Sequence, residues 1–210
     1  CDSVVYLLRQ NFPNFSIHIS DLSGRSDFQK GRIEIDSKES SFISSINSML
    51  RKPVKFVLKS SPFLWEYLLN GGRKKKKKIL DTCKFKYDVT VFAGGQLFMD
   101  CFSIPISRYV KNLTNRNIPI IFNSCGIGSI KSKILLNILK KSLNSNSIYK
   151  ISVRDSYDKI NKLILPQNKE KLVRSYDPGL WAKEVYGVER NARDIVGIGV
   201  ISHPKFRSEE

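Results

Sequence analysis

Residues 88–100 read DVTVFAGGQLFMD, a β-branched and aromatic run that halts at two adjacent glycines. Val89, Thr90, Val91 and Phe92 are residue types that fit a pleated, largely buried surface, so the run reads as a strand over 88–92. Gly94 and Gly95 mark a place where the backbone can take angles closed to other residues. Two readings follow. The glycines make an ordinary strand-ending turn, or they clear room for a ligand against main-chain N–H groups.

Working outward, short apolar runs alternate with longer amphipathic ones. Downstream, the pattern predicts a helix over 104–115 with Pro105 in its first turn, then a buried strand, IPIIFN (118–123). After the turn SCGIGS comes a long helix over about 130–143, then a strand YKISVRD (149–155) and a helix over 156–164. KLVRSYDP (171–178) reads as strand and turn, 179–187 as a helical stop, and DIVGIGVI (194–201) as a last strand. Upstream, residues 2–10 read as a helix, and Phe15, Ile17 and Ile19 alternate with polar residues as in a strand. Residues 21–37 read as loop, Phe42 to Leu50 as a helix closed by Pro53, VKFVL (54–58) as a strand, and Pro62 to Leu69 as a short helix. NGGRKKKKK (70–78) reads as a solvated loop, because glycines and like charges do not pack. Strands alternating with helices predict an α/β fold, a doubly wound and mostly parallel sheet. Ligands bind such sheets at the carboxyl ends of the strands.

The chain has 210 residues, enough for one large domain or for one domain and part of another. Its 12 Phe and 8 Tyr can furnish a core. No apolar run approaches the ~20 residues of a membrane span, and no signal peptide is visible, so a cytoplasmic location is expected. Cys1, Cys83, Cys101 and Cys125 form no CxxC pair and have no histidine at ligand spacing, which points to reduced thiols and no metal site. Of the net charge of +17, Arg73 to Lys78 carry six, leaving +11 elsewhere. Such an excess suits nucleic acid, anionic lipid or phosphorylated small molecules. The aromatic residues fall in strands and on helix faces rather than beside the lysines, so there is no stacking platform and nucleic acid is not the expected partner.

Three strand ends carry candidate chemistry. Gly94 and Gly95 are the first. The second is CGIGS (125–129), where Gly126 and Gly128 precede the long helix, Ser129 is placed to cap it, and backbone N–H groups would hold a phosphate or carboxylate. Neither glycine cluster has Walker or dinucleotide spacing, which argues against ATP and NAD. The third is Arg154–Asp155, where the arginine offers a two-pronged donor to an anion and the aspartate is either its partner or a helix cap.

DVTVFAGGQLFMD, FNSCGIGS, ISVRDSYDKINKL and SYDPGLWA, in that order and separation, resemble the first domain of the polysaccharide pyruvyl transferase family over roughly residues 1–201. The resemblance implies a Rossmann-like first domain over 1–190 that lacks its first strand. The start of a second domain falls at 191–210, the two belonging to a glycosyltransferase-B-like arrangement. It implies transfer of a pyruvyl group from phosphoenolpyruvate to two hydroxyls of a saccharide or lipid-linked saccharide, with release of phosphate. No cofactor is called for, and contact with a membrane surface is compatible with such an acceptor. Arg154 is the expected anion contact, with Gly94, Gly95, Gly126, Gly128 and Ser129 completing the binding surface. Asp100 and Asp155 are the candidate catalytic carboxylates, and Asp177–Pro178 is expected to shape the interdomain turn. Gln96 stands where many members carry glycine, and the lysine run reads as an insertion. The family's catalytic histidine and a further arginine are expected in the second domain, so this stretch alone is expected to be inactive. His18 reads as structural and His203 as a lesser cleft candidate. The alternatives are a nucleotide-sugar-dependent glycosyltransferase of similar fold and an inactive basic binding fragment.

Overall fold

The computed structural model describes residues 2–20, 22 and 72–187, the side chains of 72–75 excepted. The helices expected over 42–50 and 62–69, the strands over 54–58 and 194–201, and His203 lie outside the described residues.

Helix α1 (Asp2–Asn11) carries Asp2 in its first turn and Arg9 in its last, each favourable to the helix dipole. The Tyr186 hydroxyl donates to Asp2 at 2.7 Å and ties α1 to the end of the described chain. Phe15, Ile17 and Ile19 do not form the expected strand: residues 16–20 are irregular. Phe15 is exposed, and alternation without a partner strand or a buried face stabilises no ladder. His18 therefore sits in irregular chain, its ring 5.3 Å from that of Phe85.

Helix α2 (Gly72–Cys83) contains the whole lysine run, which corrects the loop expected there. Lysine is a good helix former, and like charges at i,i+4 each cost only a few tenths of a kcal/mol. Ile79 and Cys83, four residues apart, are buried, and that face packs on the next helix. Arg116 donates to the carbonyls of Cys83 and Phe85, closing the C-terminal end of α2.

Strand β1 (Thr90–Ala93) is followed after two residues by β2 (Gln96–Phe98), and α3 (Asp100–Thr114) begins two residues later. The helix thus starts four residues before the expected position, which puts Pro105 in its second turn. Then come β3 (Ile120–Ile127), α4 (Lys133–Leu143), β4 (Ile148–Val153) and α5 (Tyr157–Asn161). A 3-10 turn leads into β5 (Leu172–Arg174), and a second one into α6 (Ala182–Tyr186). Helix α4 is capped by Ser132, whose hydroxyl accepts from the Leu135 N–H at 3.4 Å, and not by Ser129.

All pairings are parallel, in the order β1-β3-β4-β5. This is an α/β fold with a Rossmann-like parallel sheet. Strand β2 pairs with β3 beyond the end of β1, so β1 and β2 form one interrupted strand beside β3. Helices α3 and α4 pack against each other. The core centres on Phe92, Phe98 and Phe122, with rings of Phe92 and Phe122 stacked at 4.7 Å and Phe98 edge-on to Phe122 at 5.3 Å.

Candidate functional site

The interruption between β1 and β2 answers to backbone angle. Gly94 and Gly95 have φ of +71° and +69°, and a Cβ on either would meet nothing within 4 Å. Their lack of side chains is demanded by the left-handed angles and not by crowding. The chain does not turn away here. It donates from Gly94 N–H to the Asn123 carbonyl at 3.1 Å, and the Gly95 carbonyl accepts from Gly126 N–H at 2.8 Å.

Strand β3 is distorted at the same level. Ser124 has φ of +52°, and the register with β4 shifts between Phe122 and Cys125. Ser152 repairs the gap: its hydroxyl oxygen accepts from Ser124 N–H at 2.8 Å. The Ser124 hydroxyl in turn lies 3.1 Å from that of Ser175, so a row of serines links β3, β4 and the residue after β5. Sequence reading missed this row, because lone serines in apolar strands carry no periodic signal.

Gly126 and Gly128 are close-approach positions. A Cβ on Gly126 would lie 2.6 Å from Asp155 Oδ2, and one on Gly128 3.2 Å from Met99 Cβ. Their N–H groups are engaged within the strands. Gly126 donates to Gly95 and Gly128 to the Phe98 carbonyl at 2.9 Å. Carboxylates take the neighbouring donors: Ile127 N–H donates to Asp155 Oδ1 at 3.3 Å and Lys131 N–H to Asp100 Oδ2 at 3.0 Å. Asp100 lies in the first turn of α3, and its Oδ1 is buried with no partner among the described residues. Ser129, in the same segment, is exposed.

Arg154 and Asp155 follow β4. Arg154 Nε donates to Asp155 Oδ2 at 3.3 Å, and Arg154 Nη1 pairs with Asp177 Oδ2. Asp177 Oδ1 also accepts from Gly179 N–H at 2.8 Å, which caps the second 3-10 turn. Arg154 is thus held between two carboxylates, and Asp177 is tied to the sheet through it. Asp155 does not cap α5; Ser156, with φ of +50°, occupies that position.

Beside this cluster, between the ends of β4 and β5, lies an open cavity of about 420 Å³. Arg154, Ser156, Tyr157, Arg174, Ser175 and Tyr176 line it with Val153 and Asp155. The Arg174 guanidinium lies over the Tyr157 ring, 4.7 Å from its centroid. Of this lining the sequence reading named only Arg154 and Asp155. Arg174 is the signal it could have used, a cation at the last position of a short strand.

One further titratable group marks the interior of this region. Burial pushes the Cys125 thiol up to about 12, and its sulfur lies 3.8 Å from the Phe92 carbonyl. Cys125 is therefore a core thiol and not a nucleophile at neutral pH.

The fold is a parallel, Rossmann-like α/β sheet with two arginines, three serines and two tyrosines at the ends of β4 and β5 or beside them. The model of the polysaccharide pyruvyl transferase family matches residues 1–209, and the chain belongs to that family of transferases. No curated protein and no solved structure matches it. Among the described residues no helix is long and apolar enough to cross a membrane.

Proposed function

We propose that the chain supplies one face of an enzyme that moves a pyruvyl group from phosphoenolpyruvate to two hydroxyls of a cell-surface saccharide precursor. The observation that carries this reading is the family match along 1–209, joined to an arginine-lined cavity at the strand ends.

The reaction adds one sugar hydroxyl to the enol carbon of the donor while a proton goes to its methylene, making a methyl group. A second hydroxyl then displaces phosphate at the same carbon. Of the two hydroxyl protons, one is balanced by the new C–H bond and the other leaves with phosphate. The chain's own groups fit parts of this sequence. A guanidinium at the cavity stabilises a doubly charged phosphate or a carboxylate. Asp100 Oδ1 has no partner among the described residues but is buried and does not line the cavity, so Asp100 can receive a hydroxyl proton only from an acceptor that reaches the start of α3. Asp155 has one oxygen on Arg154 and the other on the Ile127 N–H, and serves to hold the strand ends together. The acid for the methylene carbon is assigned to the second domain that the family resemblance implies. The acceptor is a saccharide or lipid-linked saccharide, handled on the cytoplasmic side and at the membrane surface where lipid-linked. No cofactor enters the reaction.

Calorimetric titration with phosphoenolpyruvate, and separately with uridine diphosphate glucose, tests the donor. Saturable binding of phosphoenolpyruvate is expected. Binding of the nucleotide sugar alone would overturn the reading in favour of a glycosyltransferase.

A further inference from the structure

The anion contact expected at Arg154 meets an electrostatic objection. Asp155 and Asp177 both pair with its guanidinium, so the trio carries a net negative charge. An incoming phosphate would have to displace one carboxylate and would still face the other. The segment 126–131 is no better, since Asp100 and Asp155 already take two of its N–H groups. Both places read from the sequence as anion sites are filled by the protein's own anions.

Arg174 differs. No carboxylate pairs with it among the described residues. Its guanidinium stacks on the face of Tyr157, and a stacked guanidinium keeps its edge N–H donors for a ligand. Tyr157 packs against the core, so the cation is held over the cavity before any ligand arrives. Ser175 is fixed from below by the Ser124 hydroxyl, and Ser156 and Tyr176 add hydroxyls to the lining. The volume of about 420 Å³ falls in the range of small-molecule sites.

We propose that the cavity between the ends of β4 and β5 is a phosphate-monoester subsite in which Arg174 makes the anion contact. Arg154 is a positioning residue that holds the Asp177 turn beside it. The ligand's identity rests on the pyruvyl-transfer reading, because a phosphate monoester there belongs either to phosphoenolpyruvate or to a phosphorylated sugar. The subsite itself rests on the cavity.

Titration calorimetry with phosphoenolpyruvate and with glucose 1-phosphate, on the wild-type chain and the variants Arg174→Ala, Arg174→Lys and Arg154→Lys, separates these. Arg174→Ala is expected to weaken the bound ester at least about tenfold with an unchanged melting temperature, and Arg174→Lys to recover part of the loss. Arg154→Lys is expected to lower the melting temperature and leave affinity within about threefold. Wild-type affinity in Arg174→Ala, or no binding of either ester to the wild-type chain, overturns the subsite. Phosphoenolpyruvate binding that ignores Arg174 leaves the donor reading standing and removes the subsite. Binding of glucose 1-phosphate through Arg174, without binding of phosphoenolpyruvate, keeps the subsite and removes the donor reading.

Discussion

Two strand ends of this sheet look alike in sequence and differ in physics. At the β1–β2–β3 end, glycines and a left-handed serine let three segments approach, and nearly every polar group there is spent on its neighbour. At the β4–β5 end, arginines, serines and tyrosines converge on open space. The first region shows how glycine-rich turns are consumed by folding. The second shows where polar groups remain for a ligand. The glycine clusters lie one or two strands away from the cavity.

Raising the pH should strike the first region hardest. The Cys125 thiol has an ordinary value of 9.0 and is pushed up to about 12 by burial in the folded chain. Between those values the folded form keeps its proton and the unfolded form gives it up. Stability from this group is therefore whole below pH 9 and falls as pH rises toward 12, by on the order of 4 kcal/mol at the limit. Burial pushes Cys83 and Tyr87 in the same direction. Urea unfolding at pH 8 and pH 11 should show the loss, and Cys125→Ala should show a smaller one. An equal loss in the variant would remove Cys125 from the account.

Gly126→Ala should cost about 1–3 kcal/mol through overpacking against Asp155, read as a lower urea midpoint. Next comes Gly95→Ala, at about 1–2 kcal/mol for forcing a side chain into left-handed angles. Gly95→Asn should cost less, since asparagine tolerates them. If alanine at Gly95 is harmless, the interrupted strand does not depend on that angle. In the second region, Asp177→Asn should cost only about 0.2–1 kcal/mol, because Asp177 is half exposed and the ion pair is screened by water. A loss as large as that of Gly126→Ala would mean the arginine cluster is also part of the fold's frame.

These contrasts explain what could be read from the sequence. The order of strands and helices from Thr90 onward follows from hydrophobic period, because β3 and β4 are largely buried parallel strands, β1 buries Phe92, and α3 and α4 bury a helical stripe. The division between β1 and β2 was not legible, since nothing in Ala-Gly-Gly-Gln states that the chain resumes pairing on the same neighbour. Lys74 to Lys78 misled because charge repulsion is weak against the burial of Ile79 and Cys83, which lie outside the run. At Arg154 the sequence offers one carboxylate next door. The second, Asp177, becomes its partner only when β5 docks beside β4. Arg174 sits in a three-residue strand too short to show which way it faces.

The most direct test of this difference is a titration of the isotope-labelled chain with phosphoenolpyruvate, followed by backbone amide NMR shifts. The account predicts saturable shifts concentrated at Ser156, Tyr157, Arg174, Ser175 and Tyr176, with small changes at Gly94, Gly95, Gly126 and Gly128. The largest shifts at the glycines, with the β4–β5 cavity silent, would contradict it.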